Sequence, residues 1–170
     1  HLSEDMYAAH VFGVRYKGKG IANFGDASMF SFHATKVYHT IEGGAVCYHD
    51  PELGHELYKL RDFGIKDAET IDGVGSNAKM NEFVAAMGLC TLRHVDEEIA
   101  KRKAVVECYR KYLSGIDGIQ LPPIQENVQP NYAYFPIVVH EKEFGATRNE
   151  IFAKLAEKGK EQRYEQKKDY

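Results

Sequence analysis

The sequence predicts an α/β fold, and three patterns predict it. Short β-branched and aromatic runs punctuated by glycine fill the first third of the chain. Beyond Asp50-Pro51 the apolar residues fall at helical spacing, first in Leu53, Leu57 and Leu60, then in Met80, Phe83, Val84 and Met87. A β-rich run at 132–139 then leads into a capped helix.

In chain order, residues 8–16 read as a strand end running into a loop, and the two glycines of Tyr16-Lys17-Gly18-Lys19-Gly20 make a turn. Residues 21–24 and 28–32 read as two short strands around Gly25-Asp26, most economically a tight hairpin. Gly43-Gly44 allows a close backbone approach before a strand at 45–48. Asp50 suits an N-cap and Pro51 the first helical position, and this helix should end near Phe63-Gly64. Residues 65–77 lack periodicity and read as a long loop, a kind that is usually functional or mobile.

The next helix should bury Met80, Phe83, Val84 and Met87, with Ala85, Ala86 and Gly88 permitting close packing. Asp96-Glu97-Glu98 opens a further helix, acidic at its start and basic at Arg110-Lys111, as the macrodipole favours. Its buried side is Ile99, Val106, Tyr109 and Leu113, and Gly115 stops it. A proline-bearing connector covers 119–130, and Pro136 confines the following strand to an edge or a bulge. Thr147-Arg148-Asn149-Glu150 has capping-box spacing, so a helix should start near Arg148 and bury Ile151, Phe152 and Leu155. From Lys158 onward the chain is a polar tail expected to fray.

Composition bounds the function. With 170 residues, 44% apolar and 28% charged, the chain can bury a core. A net charge of -3 with no basic stripe argues against nucleic acid, and no apolar run is long enough to span a bilayer. Cys47, Cys90 and Cys108 are odd in number and lack metal-ligand spacing, so a reducing, cytoplasmic setting is the default and no metal is expected.

The chemistry centres on 31–45, which reads SFHATKVYHTIEGGA. It sets Lys36 in a short polar loop between two apolar runs, hemmed by hydroxyl and imidazole groups. An enzyme places an amine in this way when that amine must lose its charge to attack a carbonyl.

The words FGDASMFSFHATKVYHTIEGGA, LRDFGI and GSNAKMNEFVAAMGL, in that order, resemble the DegT/DnrJ/EryC1/StrS family of pyridoxal-phosphate (PLP)-dependent sugar aminotransferases over about 8–157. The resemblance implies a fragment of the aspartate-aminotransferase-like fold, type I. Residues 1–95 would be the C-terminal part of the α/β/α large domain that binds PLP. Residues 96–157 would be an incomplete small α+β domain, and 158–170 the tail. The family's long N-terminal segment, with a further phosphate loop and the group stacking on the cofactor ring, would precede His1.

By the same resemblance Lys36 carries PLP as a Schiff base and Ser31, five positions earlier, binds its phosphate. Asn77 reaches the phosphate of a neighbouring subunit, which makes a homodimer with shared sites necessary, and His10 lies near the cofactor. The family acid that pairs with the pyridine nitrogen stands three residues before the His10 position. Here Tyr7 stands there and Asp5 lies two residues further back, so the acid is either displaced to Asp5 or missing. Some family members carry histidine in place of the lysine and dehydrate their substrate; Lys36 argues against that branch.

Two functions from different classes follow. One is a transaminase moving an amino group from an amino acid, glutamate by family analogy, to a nucleotide-linked keto-sugar, as in making dTDP-amino-dideoxy sugars for cell-surface polysaccharide. The other is an inactive fragment serving only as a dimerisation or binding module.

Overall fold

The computed structural model describes residues 5–158, with side chains from residue 8 onward. By its internal contacts the chain divides into two units. The first takes residues up to 105 together with 125–133, and the second takes 106–124 and the residues from 134 on. The division expected after residue 95 differs from this one, because residues 96–105 pack with the first unit and 125–133 return to it.

The first unit is built on a three-stranded sheet. β1 (Asp5–Tyr7) lies parallel to β4 (Ala27–Ser31), and β4 lies antiparallel to β5 (Gly44–Tyr48). β2 (Arg15–Tyr16) and β3 (Lys19–Gly20) form a small hairpin around the expected Lys17-Gly18 turn. β7 (Val128–Gln129) joins this hairpin by pairing with β2.

The hairpin expected around Gly25-Asp26 is not formed. Ile21–Asn23 is a single 3-10 turn, and the strand that follows pairs with β1 and β5 instead. A short apolar run does not name its partner; the sheet with the most apolar surface to cover does. The core against that sheet is Ala8, Phe30 and Phe32, with Val11, Phe12, Ile21, Tyr38, Ala45 and Cys47 packed around it.

Helix α1 (Pro51–Arg61) starts as expected, the Asp50 carboxylate accepting from the Glu52 N–H at 2.9 Å with proline in the first turn. It stops where Phe63 and Gly64 take positive φ of 56° and 78°. The 64–77 loop folds back on itself through bridges at Ile65–Ile71 and Asp62–Asn77.

α2 (Glu82–Leu92), capped by Asn81, corrects the predicted apolar face. Phe83 is 89% exposed, and the buried residue is Gly88. This helix is apolar around most of its circumference, so periodicity could not choose a face, and close approach selected the one with the smallest residue.

α3 (Val95–Leu113) has the expected acidic start and basic end. Val106 is buried and Ile99 and Leu113 are half-buried, whereas Tyr109 is exposed. Tyr109 lays its ring on Phe135, centroids 5.9 Å apart.

In the second unit β6 (Ile119–Gln120) pairs with β8 (Val138–Val139), followed by α4 (Glu141–Phe144) and α5 (Arg148–Glu157). The strand expected over 132–139 shrinks to its last two residues. Pro136 has no N–H to give, Tyr132 has φ 54°, and Asn131 Oδ1 takes the Ala133 N–H at 3.1 Å. α5 carries the full capping box and half-buries Ile151, Phe152 and Leu155. The expected tail lies outside the described residues from Gly159 on.

Candidate active site around Lys36

β4 and β5 present the lysine segment as the connection between them. Phe32 N–H donates to Gly43 O at 2.8 Å and Thr40 N–H to Phe32 O at 2.9 Å, which closes 33–42 into a compact loop. Gly44 lies against the backbone of β4 so closely that a Cβ there would sit 2.7 Å from Phe30 O, as the glycine pair predicted. Inside the loop Thr40 is buried, and its hydroxyl donates to Glu42 O at 2.6 Å.

Lys36 is half-buried on the rising side of this loop, and its N–H donates to His33 O at 2.9 Å. Its Nζ lies 2.9 Å from His10 Nδ1. An ammonium only donates, so in the charged state of Lys36 this nitrogen accepts and the imidazole keeps its proton at Nε2. Two sequence-predicted residues 26 positions apart are thus brought into contact.

Ser31 closes β4, half-buried, five residues before Lys36. Its Oγ accepts from His33 N–H at 3.4 Å, which leaves the hydroxyl proton for another acceptor. His33 itself bridges Thr35 Oγ1 at 3.0 Å and, when protonated, Glu42 at 3.6 Å. Asp5 stands at the start of β1, its backbone opposite Ala27, and Tyr7 stands opposite Met29.

Asn77 stands on a different segment, exposed at the end of the 64–77 loop, where it bridges Asp62. That bridge is backed by an ion pair from Lys79 to Asp62, and the Lys79 ammonium lies 4.3 Å from the Phe63 ring centroid.

Sequence reading missed the residues that hold this loop from outside. Tyr38 stacks on Phe12 at 4.4 Å and meets Phe32 edge-on at 4.8 Å; burial pushes its phenol upward in pKa. Thr91 on α2 donates to His39 O at 2.8 Å. Asn131, buried, donates through Nδ2 to the carbonyls of His10 at 2.8 Å and Phe12 at 2.9 Å. An asparagine just beyond a proline-bearing connector carries no local signal for such a contact.

A half-buried primary amine beside an imidazole, with a strand-end hydroxyl five residues before it, suits a carbonyl-bearing, phosphorylated group such as PLP. Lys36 would hold it through Nζ, and Ser31 would donate to its phosphate.

The sequence model of the DegT/DnrJ/EryC1/StrS aminotransferase family matches residues 2–164. A dTDP-4-amino-4,6-dideoxy-D-glucose transaminase of Shigella dysenteriae is 40% identical over 145 residues, covering 85% of this chain and 39% of its own. The solved structure of DesI in the presence of its TDP-sugar product superposes with a TM-score of 0.82 at 32% identity, over 91% of this chain and 40% of that one. The Spr1654 protein of Streptococcus pneumoniae, solved in a PLP form, gives 0.80 at 27% identity over 91% and 41%. The chain therefore spans about two fifths of the length of the relatives it matches. The fold is that of a type I PLP-dependent transferase segment, and the chain belongs to the DegT/DnrJ/EryC1/StrS aminotransferase family.

Proposed function

We propose that the protein is a PLP-dependent nucleotide-sugar transaminase, taking an amino group from an amino acid, glutamate by family analogy, and delivering it to a keto-sugar. The observation that carries this reading is Lys36 itself, half-buried on the β4–β5 loop with Nζ 2.9 Å from His10 Nδ1. The Shigella relative is named for a dTDP-linked amino sugar and DesI was solved with its TDP-sugar product, which favours a nucleotide-linked substrate; a place in making sugars for cell-surface polysaccharide extends that reading.

When bound, PLP supplies the electron sink. The chain's residues do the rest. Lys36 Nζ would hold the cofactor and, when released from it, would serve as the base that takes the proton from the substrate carbon. Ser31 Oγ would donate to the phosphate, and His10 would orient the Lys36 amine through Nδ1. Asp5 is the candidate for the carboxylate facing the pyridine nitrogen.

The exposure of Asn77, beside the Asp62–Lys79 pair, supports its serving the site of a second copy, and the working unit in this reading is a homodimer in the cytoplasm. By family likeness, residues 1–95 would form the cofactor-binding portion and 96–157 the small-domain portion, a boundary distinct from that of the two contact units.

The test is to load the protein with PLP, reduce with borohydride and locate the modified lysine by peptide mass. Modification of Lys36, with transfer from glutamate to a dTDP-keto-sugar, is the expected result. Modification spread over surface lysines, with Lys36 spared, would reject the reading.

A further inference from the structure

Asn131 is one of three buried polar side chains among the described residues, at 5% exposure. It comes from the connector after β7, which the pairing of β7 with β2 brings beside the 8–16 segment. Both Nδ2 protons are spent on that segment, one on His10 O at 2.8 Å and one on Phe12 O at 2.9 Å, and Oδ1 is occupied by the Ala133 N–H. The amide is therefore fully satisfied and locked in one orientation.

Both residues it grips meet the lysine loop. His10 Nδ1 contacts Lys36 Nζ at 2.9 Å, and the Phe12 ring stacks on Tyr38 at 4.4 Å, two residues beyond Lys36. One carboxamide thus ties the 131–133 segment to the 10–12 turn, whose side chains in turn meet the lysine loop. Val11 N–H bonds back to Ala8 O at 3.1 Å, so His10 lies within a turn that leads into the gripped carbonyls.

We propose that Asn131 is a positioning residue that holds His10 against Lys36. This rests on the reading of Lys36 as the cofactor lysine. Asn131 touches neither the amine nor any reacting atom. It sets where the imidazole stands, and thereby how much of the Lys36 amine is tied in a hydrogen bond before the cofactor arrives.

The experiment uses the purified protein without added cofactor. Histidine labelled with 15N reports the His10 Nδ1 resonance, and competitive acetylation with peptide mass analysis reports Lys36 against Lys101 as an internal control. Lys36→Met defines the resonance of His10 in the absence of the Lys36 amine. In Asn131→Ala, and in the milder Asn131→Ser should the alanine variant fold poorly, the His10 signal should move to that position. Lys36 acetylation should rise about fivefold, the equilibrium worth of one released hydrogen bond.

In a His10→Gln background Asn131→Ser should change Lys36 acetylation no further. A folded Asn131→Ser protein with the His10 signal and the Lys36 rate unmoved overturns the proposal, as does an equal rate increase with and without His10. PLP with borohydride on the unmutated protein tests the cofactor reading separately. Lys36 left unmodified there, with the Asn131 effects intact, would reject the cofactor role and leave the positioning role standing.

Discussion

Gly88 of α2 lies against Thr40 of the lysine loop so closely that a Cβ added to it would sit 2.8 Å from Thr40 Cγ2 and 3.0 Å from the Tyr38 hydroxyl. Thr40 is 1% exposed and Tyr38 is stacked on Phe12, so neither neighbour is free to give way. The helix is therefore a wall against which the loop carrying Lys36 is pressed.

Gly88→Ala should accordingly destabilise the protein. Overpacking costs about 1–3 kcal/mol, partly offset by about 1 kcal/mol of helix propensity gained by replacing glycine. Urea unfolding of the two proteins measures the balance. An alanine variant more stable than the parent would show that the loop yields and that α2 does not fix it.

Removing the amine should remove cofactor attachment without removing the fold. Lys36 is half-buried and contributes its charge to no described ion pair, so Lys36→Ala should leave the thermal midpoint within a few degrees, since substitutions away from core and caps cost about 0.5 kcal/mol. Visible absorbance on adding PLP should vanish with transfer activity. Retention of both in the variant would assign the chemistry to another lysine.

The shared-site reading predicts complementation. Mixing Lys36→Ala with Asn77→Ala protein should give heterodimers in which one site carries both lesions and the other neither. Activity well above that of either parent is expected. Heterodimers formed but inactive would separate Asn77 from the partner's site.

The capping box at the start of α5 predicts a pH-dependent contribution. Thr147 N–H donates to Glu150 Oε2 at 2.7 Å, and this bond first, then the Thr147 side chain, holds the Glu150 carboxyl below its ordinary 4.5. A depressed folded-state pKa means stability that is complete above the unfolded value and is lost as pH falls through the folded one. Unfolding midpoints followed from pH 6 downward should therefore fall below about pH 4.5 more steeply in the parent than in Glu150→Gln. Thr147→Ala should cost about 1 kcal/mol at neutral pH, the usual worth of an N-cap. Equal acid sensitivity of parent and Glu150→Gln would dismiss the carboxylate's part.

What the sequence by itself determined is everything governed by neighbours a few residues apart. Asp50-Pro51 and Thr147-Glu150 set two helix starts, because a cap is an interaction over two or three positions. Phe63-Gly64 ends α1 through backbone conformation, and the glycine pair at 43–44 marks a close approach. Lys36 and Ser31 could be singled out as candidates because loop chemistry and family spacing both lie within one short stretch.

Tertiary structure alone decided the partners. Residues 21–24 lost their predicted strand because β4 found parallel β1 and antiparallel β5, and pairing free energy belongs to the sheet as a whole. α2 turned Gly88 inward and left Phe83 exposed, a choice open to any helix that is apolar on several faces. The Asn131 clamp on His10 spans 121 positions, and no local pattern announces a contact whose loop-closure cost is met only by the completed core.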